Sequence, residues 1–356
     1  MKQKTKMGII GVNHPHSRLH LRTLQLMDEI ESIFLYDSEQ ETLEQIREQS
    51  GDKVEDTYTE LDEMLARDDM PLVFSLLRND QNSDAVIKAA KAGKHVMSEK
   101  PVATDSEKMK QVIDAVEDAG IILSVCFQTR FNPVAQDIRK LVEEGVLGVP
   151  MTFEARMITS QVKFRNPNHW LFNKKLAGGG ILSWLGCHYI DLLRFVLQDE
   201  VVSVSAMVDN LSGEDIDVED TACMTLKFSK GTLGTFQAGY LLPLSGSGYT
   251  GASYDTYIAI KGKLGNVSWR PTEESSLKIE SAVDSWSSSP QRELKYNIAK
   301  SDAYGGVYGM QFMRTFVNAA LTGKVEPPST GYDALKVLQI IEAAYESSQI
   351  GKKIDL

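Results

Sequence analysis

Short apolar runs alternate with longer amphipathic segments between residues 7 and 127. The runs predict buried strands, and the segments between them predict helices. Strands and helices that alternate in this way are typical of a parallel sheet with crossover helices. The predicted strands are Met7–Val12, Ile33–Tyr36, Lys53–Tyr58, Leu72–Leu77, His95–Ser98 and Ile121–Phe127.

Two of these helices begin with a capping-box pattern. Ser38 is followed three residues later by Glu41, and Thr104 is followed three residues later by Glu107. In such a box each side chain accepts a hydrogen bond from a backbone amide near the other residue. We therefore predict helix starts at Ser38 and Thr104.

After Gln128 the pattern changes to strict alternation of apolar and polar residues, which predicts half-buried strands in a mostly antiparallel sheet. We therefore predict two domains, an α/β domain over residues 1–128 and an α+β domain over residues 129–356. The predicted strands of the second domain are Met151–Arg156, Val201–Val208, Ala222–Phe228, Leu233–Tyr240, Tyr257–Lys261 and Asn266–Arg270. Its predicted helices are Pro133–Glu144, Ile181–Leu197, Tyr308–Leu321 and Tyr332–Ser347.

Composition and charge narrow the classes of partner. The 356 residues are 42% apolar and 24% charged, which is ordinary for a folded globular protein. The net charge of -11 repels phosphate backbones and anionic lipids, so we expect no nucleic-acid partner. No uninterrupted apolar run is long enough for a signal peptide or a membrane span, and the three cysteines show no CxxC spacing. We therefore expect a cytoplasmic protein without a membrane partner.

The first predicted strand leads into a degraded glycine motif. Of the pattern G-x-G-x-x-G that begins at Gly11, only Gly11 itself is a glycine, because Asn13 and His16 occupy the other two glycine positions. Pro15 suits a first helical turn, and Asn13 and His14 can donate hydrogen bonds to an anion. Taken alone, such a motif more often marks a plain strand-to-helix turn.

Asp37 ends the second predicted strand, and Ser38 follows it without an arginine. At this place in a dinucleotide-binding fold, an acidic side chain accepts hydrogen bonds from the adenosine ribose, and it repels the 2′-phosphate of NADP. Asp37 therefore favours NAD. The alternative is that Asp37 only caps a turn.

His14, His16 and His20 raise the question of a metal site, since imidazoles at these spacings can converge. The neighbouring sequence lacks carboxylates that could complete such a site. We therefore expect no metal and assign the histidines to the helix start and to phosphate binding.

Two further segments carry chemistry. Lys100 follows a predicted strand at its carboxyl end, where open parallel sheets bind ligands, although a lysine before a proline is usually a solvated loop residue. In the second domain, three glycines at 178–180 precede a helix on which Trp184 and His188 share one face. Asp191 could orient the His188 ring, although a lone histidine on an apolar helix is more often a core residue.

Five motifs occur in order: the strand Gly8–Gly11, the segment Ala92–Pro101 that ends in Glu-Lys-Pro, Arg130–Pro133, Gly178–Asp191, and the closing Glu342–Leu356. With these motifs the chain resembles the Gfo/Idh/MocA family (glucose-fructose oxidoreductase / inositol dehydrogenase) over nearly its whole length. The resemblance implies an N-terminal Rossmann domain that binds NAD or NADP. It also implies a C-terminal domain whose large, open sheet often packs in homodimers or homotetramers, and activity on hydroxyl or carbonyl groups of sugars and cyclitols.

The resemblance assigns roles to individual residues. Lys100 matches the lysine of the family's Glu-Lys-Pro motif and His188 the histidine after the glycines, so the two are expected to be the catalytic pair. Lys100 would stabilise charge on the reacting oxygen, and His188 would remove the hydroxyl proton. The expected cofactor residues are Gly11, Asn13, His14, Asp37, Ser38, Glu99 and Lys100. The expected substrate residues are Arg130, His169, Trp170 and Trp184.

Two departures from the family pattern leave the function open. The glycine motif is degraded, and Trp184 stands where many members have an aspartate, which removes a carboxylate from the acid/base relay. The first hypothesis is an NAD-linked oxidoreductase of sugars or cyclitols, in which Trp184 lines the substrate pocket and is not a core residue. The alternatives are NAD-assisted glycoside elimination or hydrolysis without net cofactor turnover, and a catalytically silent cofactor-binding protein.

Overall fold

The computed structural model describes residues 4–248, 251–273 and 275–356 and divides into two compact units. The first unit runs to Gln128 and also contains Ala299–Leu335. The second unit comprises Thr129–Ile298 and Lys336–Leu356. The prediction that the chain has no signal peptide falls partly on residues 1–3, which lie outside the described residues.

The N-terminal part of the first unit alternates strands and helices. Its elements are β1 Thr5–Ile10, α1 Ser17–Leu26, β2 Ile30–Tyr36, α2 Gln40–Gln49, β3 Val54–Tyr58, α3 Leu61–Leu65, β4 Leu72–Ser75, α4 Asn79–Lys91, β5 His95–Ser98, α5 Ser106–Ala119 and β6 Leu123–Val125. In the described residues the six strands form one parallel sheet in the order β3-β2-β1-β4-β5-β6. This is the Rossmann order, and its direction reverses at β1, where dinucleotides bind. All six predicted strands are confirmed.

The second unit is built on a larger sheet. From Pro133 onward the chain forms α6 Pro133–Glu143, β7 Pro150–Ser160, α7 Lys174–Ala177, α8 Cys187–Leu197, β8 Val201–Asp209, β9 Thr221–Phe228, β10 Leu233–Leu242, β11 Tyr254–Gly262, β12 Gly265–Trp269, β13 Ser276–Ser281, β14 Gln291–Lys295, α9 Gly306–Thr322, α10 Gly331–Ile350 and β15 Ile354–Asp355. Helix α9 belongs to the first unit, and α10 continues from the first unit into the second.

Nine strands of the described residues form this sheet, in the order β14-β13-β12-β11-β7-β10-β9-β8-β15. Among the pairs in this part of the chain, β7 and β10 run parallel, and the other neighbours are antiparallel. In β9 buried and exposed residues alternate almost throughout, so one face of the sheet covers the core of the unit. The predicted mostly antiparallel sheet is confirmed.

Residues 299–335 were assigned to the second domain by the sequence, but they pack with the first unit. Ser329 explains part of this packing, because its hydroxyl accepts a hydrogen bond from the Val125 amide at 3.0 Å and lies 3.1 Å from the Ser124 hydroxyl. Both partners lie on β6, the edge strand of the parallel sheet. The pattern of apolar residues along the chain does not indicate that residues 299–335 pack against the first unit, because this packing depends on contacts between positions far apart in sequence.

Neither predicted capping box forms. Helix α2 begins one residue beyond Glu39, and within the described residues no side chain hydrogen-bonds to cap it. The Asp37 carboxylate accepts from the Glu39 amide at 3.3 Å and so takes one of the amides at this turn. At α5 the cap is Asp105, whose carboxylate accepts from the Lys108 amide at 2.8 Å. The charged side chain displaces the Thr104 hydroxyl from this role.

One stretch, Lys174–Leu197, is long and apolar enough to cross a membrane by length and composition. In the described structure 83% of its most apolar window is buried inside the protein. Buried core helices of soluble proteins commonly meet the same two criteria, so this stretch is weak evidence for a membrane span.

Candidate functional site

The turn after β1 is built around Gly11. Its φ is 93°, and a Cβ atom at this position would lie 2.7 Å from the carbonyl oxygen of Leu76, so the turn requires glycine. The Ser17 hydroxyl donates to the Gly11 carbonyl at 2.9 Å and ties the turn to the start of α1. The first glycine of the degraded motif therefore keeps its structural role, although Asn13 and His16 replace the other two.

Asp37 lies beside this turn at the end of β2. Its carboxylate is buried and accepts from the Val12 amide at 2.9 Å, in addition to the Glu39 amide. The turn-capping role that was considered as an alternative is therefore present. A carboxylate offers about four acceptor positions, so these two bonds leave capacity for ribose hydroxyls. Ser38 and Asn13 are exposed at the same turn, and the Asn13 amide donates to the Glu39 carboxylate at 3.2 Å.

His16 and His20 both contact the carboxylate of Glu99, which follows β5. Their ring nitrogens Nδ1 and Nε2 lie 2.9 and 2.8 Å from the same atom, Oε1 of Glu99. All three residues are buried. The expectation that these histidines lack a carboxylate partner is therefore wrong, because Glu99, which lies 83 positions after His16 and 79 after His20, supplies the contact.

The three side chains offer ligand atoms within 4.8 Å of one another, so they could hold a metal ion. Both nitrogens, however, meet one oxygen at hydrogen-bond distance, which is the geometry of imidazole N–H groups donating to a shared carboxylate. The arrangement is thus a hydrogen-bonded cluster. The expectation that the protein uses no metal stays a prediction.

Burial and hydrogen bonding shift the pKa values of this cluster in opposite ways. Burial lowers the pKa of His16, and it lowers that of the neighbouring His14 strongly. Burial alone would raise the pKa of Glu99, but the positive charges that His16 and His20 carry when protonated, together with their hydrogen bonds, outweigh it and hold this pKa well below its usual range. Glu99 is therefore ionised at neutral pH, next to neutral His14 and His16.

Lys100 is only 1% exposed, so the alternative of a solvated loop lysine is wrong. Its backbone amide donates to Oε2 of Glu99 at 3.1 Å. The carboxylate that binds the two histidines therefore also holds the peptide that carries Lys100. Of the predicted cofactor residues, Glu99 and Lys100 are joined directly, and His14 is linked to them through His16, whose amide donates to Nδ1 of His14 at 3.2 Å. The others, Gly11, Asn13, Asp37 and Ser38, lie at the turn after β1 and the end of β2.

In the second unit, the predicted helix over Ile181–Leu197 begins with a π-helical segment, Leu182–Gly186, before α8 continues it. π-Helical turns often occur at functional sites. Trp184 lies in this segment, and His188 follows it at a partly exposed position. Sequence reasoning missed both the π-helix and Glu219, a buried residue that contacts its start. No local sequence pattern indicates that Glu219, just before a strand, binds the start of a helix 39 positions earlier in the chain.

Three of the predicted substrate residues lie together. The Trp170 ring meets the Trp184 ring edge-on, with centroids 6.4 Å apart, and His169 lies 5.5 Å from Trp170. His169 and Trp170 are half-buried, and burial lowers the pKa of His169. Trp184 itself is 2% exposed, which is the burial of a core residue and corrects the statement that it is not part of the core.

Arg130, the fourth predicted substrate residue, is buried and paired with Asp191. Its Nε donates to the Asp191 carboxylate at 2.8 Å, and its Nη2 donates to the second oxygen. Asp191 also lies 3.7 Å from Arg194. These contacts give Arg130 and Asp191 a structural role, so a substrate contact by Arg130 and the orientation of His188 by Asp191 both stay predictions.

Two family models match the chain. One describes an oxidoreductase family with an NAD-binding Rossmann fold and matches residues 5–127. The other describes a GFO/IDH/MocA C-terminal domain and matches residues 135–267. Each of the two units therefore contains the match to one family model.

Similar enzymes act on sugars and cyclitols by name. A myo-inositol 2-dehydrogenase of Thermotoga maritima is 26% identical over 99% of this chain and 98% of its own. A levoglucosan dehydrogenase of Pseudarthrobacter phenanthrenivorans is 29% identical over 48% of this chain and 49% of its own. A D-xylose 1-dehydrogenase (NADP(+)) of Haloferax volcanii is 24% identical over 84% of each chain.

Solved structures share the fold. A levoglucosan dehydrogenase in complex with NADH and levoglucosan superposes with a TM-score of 0.86 at 23% identity and covers 99% of both chains. An aldose-aldose oxidoreductase of Caulobacter crescentus, complexed with glycerol, gives a TM-score of 0.83 at 24% identity and covers 99% of this chain and 100% of that one.

Proposed function

Because the chain belongs to the GFO/IDH/MocA family, whose N-terminal domain is an NAD-binding Rossmann fold, we propose that it transfers a hydride between NAD and the CH–OH or carbonyl carbon of a sugar, cyclitol or sugar derivative. The names of its relatives support the substrate class. The observation that carries the catalytic assignment is the burial of Lys100 beside the Glu99 carboxylate. A lysine is almost never fully buried unless its charge is paired, and we propose that the reacting oxygen of the substrate is one partner of this charge.

The residues of the first unit fit the cofactor. Gly11 provides the close turn before α1, and the Asp37 carboxylate retains acceptor capacity for ribose hydroxyls. Asn13, His14 and Ser38 complete the proposed contact set. When bound, NAD supplies the hydride acceptor or donor of the reaction. Since Asp37 would repel a 2′-phosphate, calorimetric titration is expected to show tighter binding of NAD than of NADP, and equal affinities would contradict the role of Asp37.

We assign the proton and charge chemistry to Lys100 and His188. In the oxidative direction, an imidazole nitrogen of His188 takes the hydroxyl proton as the hydride leaves the same carbon. The Lys100 Nζ donates a hydrogen bond to the oxygen and stabilises its negative charge until the carbonyl double bond forms. In the reductive direction, His188 returns the proton to the oxygen. Position 184, where many family members have an aspartate, holds Trp184, so this position supplies no carboxylate for the proton transfer.

Trp184, Trp170 and His169 are proposed to bind the substrate. Their rings form a continuous aromatic group, and such rings pack well against the apolar faces of sugars.

We also propose that the chain forms a homodimer or homotetramer, since Met207 and Met151 of the large sheet are 80% and 59% exposed. We propose a reducing compartment, the cytoplasm, because the three cysteines lie far apart in sequence and one of them stays unpaired in any disulfide scheme.

A panel assay tests the proposal. The protein is incubated with NAD and a series of sugars, cyclitols and anhydrosugars, and NADH is followed by absorbance together with chromatography of the products. Steady NADH formation with a panel member is expected. Cleavage of a glycoside without NADH accumulation would instead identify NAD-assisted elimination or hydrolysis. Tight cofactor binding without any turnover would leave a silent cofactor-binding protein.

A further inference from the structure

Glu219, in the segment before β9, binds the start of the π-helical segment with three acceptor atoms. Its Oε2 accepts from the Gly180 amide at 2.7 Å, and its Oε1 accepts from the Leu182 amide at 2.9 Å. Its backbone carbonyl accepts from the intervening Ile181 amide at 3.2 Å. Three consecutive amides of the helix start therefore depend on one buried residue.

Amides at the start of a helix have no carbonyl one turn earlier in the same helix to accept from them, so their acceptors come from elsewhere in the protein. Ile181 at the cap position makes no side-chain capping bond in the described structure. Burial raises the pKa of Glu219, whereas the hydrogen bonds from the Gly180 and Leu182 amides favour its ionised form. When ionised, the carboxylate places negative charge at the end of the helix where the peptide dipoles are positive, and its two oxygens accept from two amides.

Two of the glycines before the helix lie too close to neighbouring residues to carry a side chain. A Cβ atom at Gly180 would lie 2.0 Å from the Glu219 carbonyl oxygen, and one at Gly179 would lie 2.1 Å from the Tyr345 hydroxyl. Neither position has room for a side chain. The close approach of this loop to Glu219 therefore explains Gly180, and its approach to Tyr345 explains Gly179.

We propose that Glu219 is a positioning residue, which fixes the π-helical segment Leu182–Gly186 and thereby sets the positions of Trp184 and His188. Its kinetic consequence rests on the proposed function, whereas its structural consequence does not. Because Glu219 acts through the backbone of the helix, its loss should affect the reacting geometry more than the binding of the cofactor.

Asp220 provides a matched control. It is buried next to Glu219, and its carboxylate accepts from the amides of Leu211 and Ser212 at 3.0 and 2.8 Å. It therefore has the same kind of contact, but it holds the loop after β8 and not the π-helical segment. Asp220→Asn reports the general cost of disturbing a buried carboxylate in this region.

The test compares Glu219→Gln with Asp220→Asn in the full chain. Glutamine keeps the shape but offers one acceptor oxygen, so one of the Gly180 and Leu182 amides faces an NH2 group. We expect hydrogen exchange of peptides covering residues 180–186 to be at least roughly tenfold faster in Glu219→Gln than in Asp220→Asn. We expect kcat to fall roughly 10- to 100-fold with an unchanged KM for NAD, since small displacements of reacting groups have effects of this size.

If Glu219→Gln does not fold, Glu219→Asp keeps the charge and shortens its reach, and the same exchange and kinetic differences are expected. Unchanged exchange at residues 180–186 would overturn the proposal, as would equal effects of the Glu219 and Asp220 variants. If the wild-type protein oxidises no sugar or cyclitol, the proposed function fails, and the exchange measurement alone decides the role of Glu219.

Discussion

At the scale of single residues, burial in the structure is the observation that most alters the roles expected for Lys100 and Trp184. Lys100 and Trp184 have sequence neighbours that suggest a loop and a pocket wall, yet the structure buries both almost completely. The Glu99 carboxylate accepts from the Lys100 backbone amide and so holds the peptide that carries this buried side chain. Burial therefore strengthens the catalytic assignment of Lys100 and weakens a purely pocket-lining role for Trp184.

Lys100→Met removes the charge but keeps an unbranched side chain of similar length. We expect kcat to fall roughly 100- to 10,000-fold, the usual contribution of a proton-transfer or charge-stabilising group. NAD affinity, measured by calorimetry, should change little. Lys94→Met is the control, since Lys94 is another buried lysine of the first unit whose Nζ donates to the Arg67 carbonyl. Full turnover in Lys100→Met would exclude a catalytic role.

Trp184→Ala leaves a cavity beside Trp170, and we expect a loss of roughly 3 to 5 kcal/mol in the free energy of unfolding. Trp184→Phe keeps an aromatic ring and should recover most of that stability. If the indole also contacts substrate, the phenylalanine variant will still raise the KM of the sugar. A normal KM and near-normal stability in Trp184→Phe would restrict Trp184 to packing, and small losses in Trp184→Ala would contradict its place in the core.

At the scale of elements, α1 and the end of β5 are joined by the cluster of His16, His20 and Glu99. This contact makes stability depend on pH. The pKa values of His14 and His16 are lowered in the folded protein, so below about pH 6.5 the unfolded chain binds protons that the folded chain does not. Stability must therefore fall as the pH drops from 7 to 5. The contribution of Glu99, whose folded pKa is also lowered, is lost only below about pH 4.5.

His16→Asn tests this dependence. The variant should be less stable than the wild type at pH 7, because it loses a hydrogen bond to Glu99, but its stability should fall less steeply towards pH 5. The slope should decrease by at most about 1.4 kcal/mol per pH unit, the value for one proton. Hydrogen exchange of first-unit amides at pH 5, 6 and 7, corrected for intrinsic rates, measures both slopes. Parallel slopes would show that His16 does not resist protonation.

The elements also show how much of the fold and of the candidate site can be predicted from the sequence. Periodicity predicted the six strands of the parallel sheet and six of the nine described strands of the larger one, because each has a buried face. It missed β14, which is largely exposed, the two-residue β15, and β13, although buried and exposed residues alternate along β13. The π-helical segment depends on Glu219, and the histidine cluster depends on Glu99. Contacts between such distant positions leave no local periodicity, so sequence reasoning named His16, His20 and Glu99 without joining them.

At the scale of the whole molecule, the chain returns to its first unit after completing most of the second. Ser329 is a sensitive probe of this return. Ser329→Ala should leave the buried Val125 amide without its acceptor, at a cost of roughly 1 to 3 kcal/mol to the first unit. Thr322→Ala, at the exposed end of α9, should change stability by less than about 0.5 kcal/mol. Exchange rates of the β6 amides measure the difference, and equal rates in the two variants would contradict it.

The interrupted first unit has a consequence for synthesis on the ribosome. Residues 129–298 are translated between its two parts, which takes roughly 10 to 30 s at bacterial and eukaryotic elongation rates. During that interval β6 lacks Ser329, and Ile113 and Leu123 lack the close packing of Gly331. The nascent chain therefore carries an unfinished sheet edge and an uncovered apolar surface while its second unit emerges, and these are the features that molecular chaperones bind.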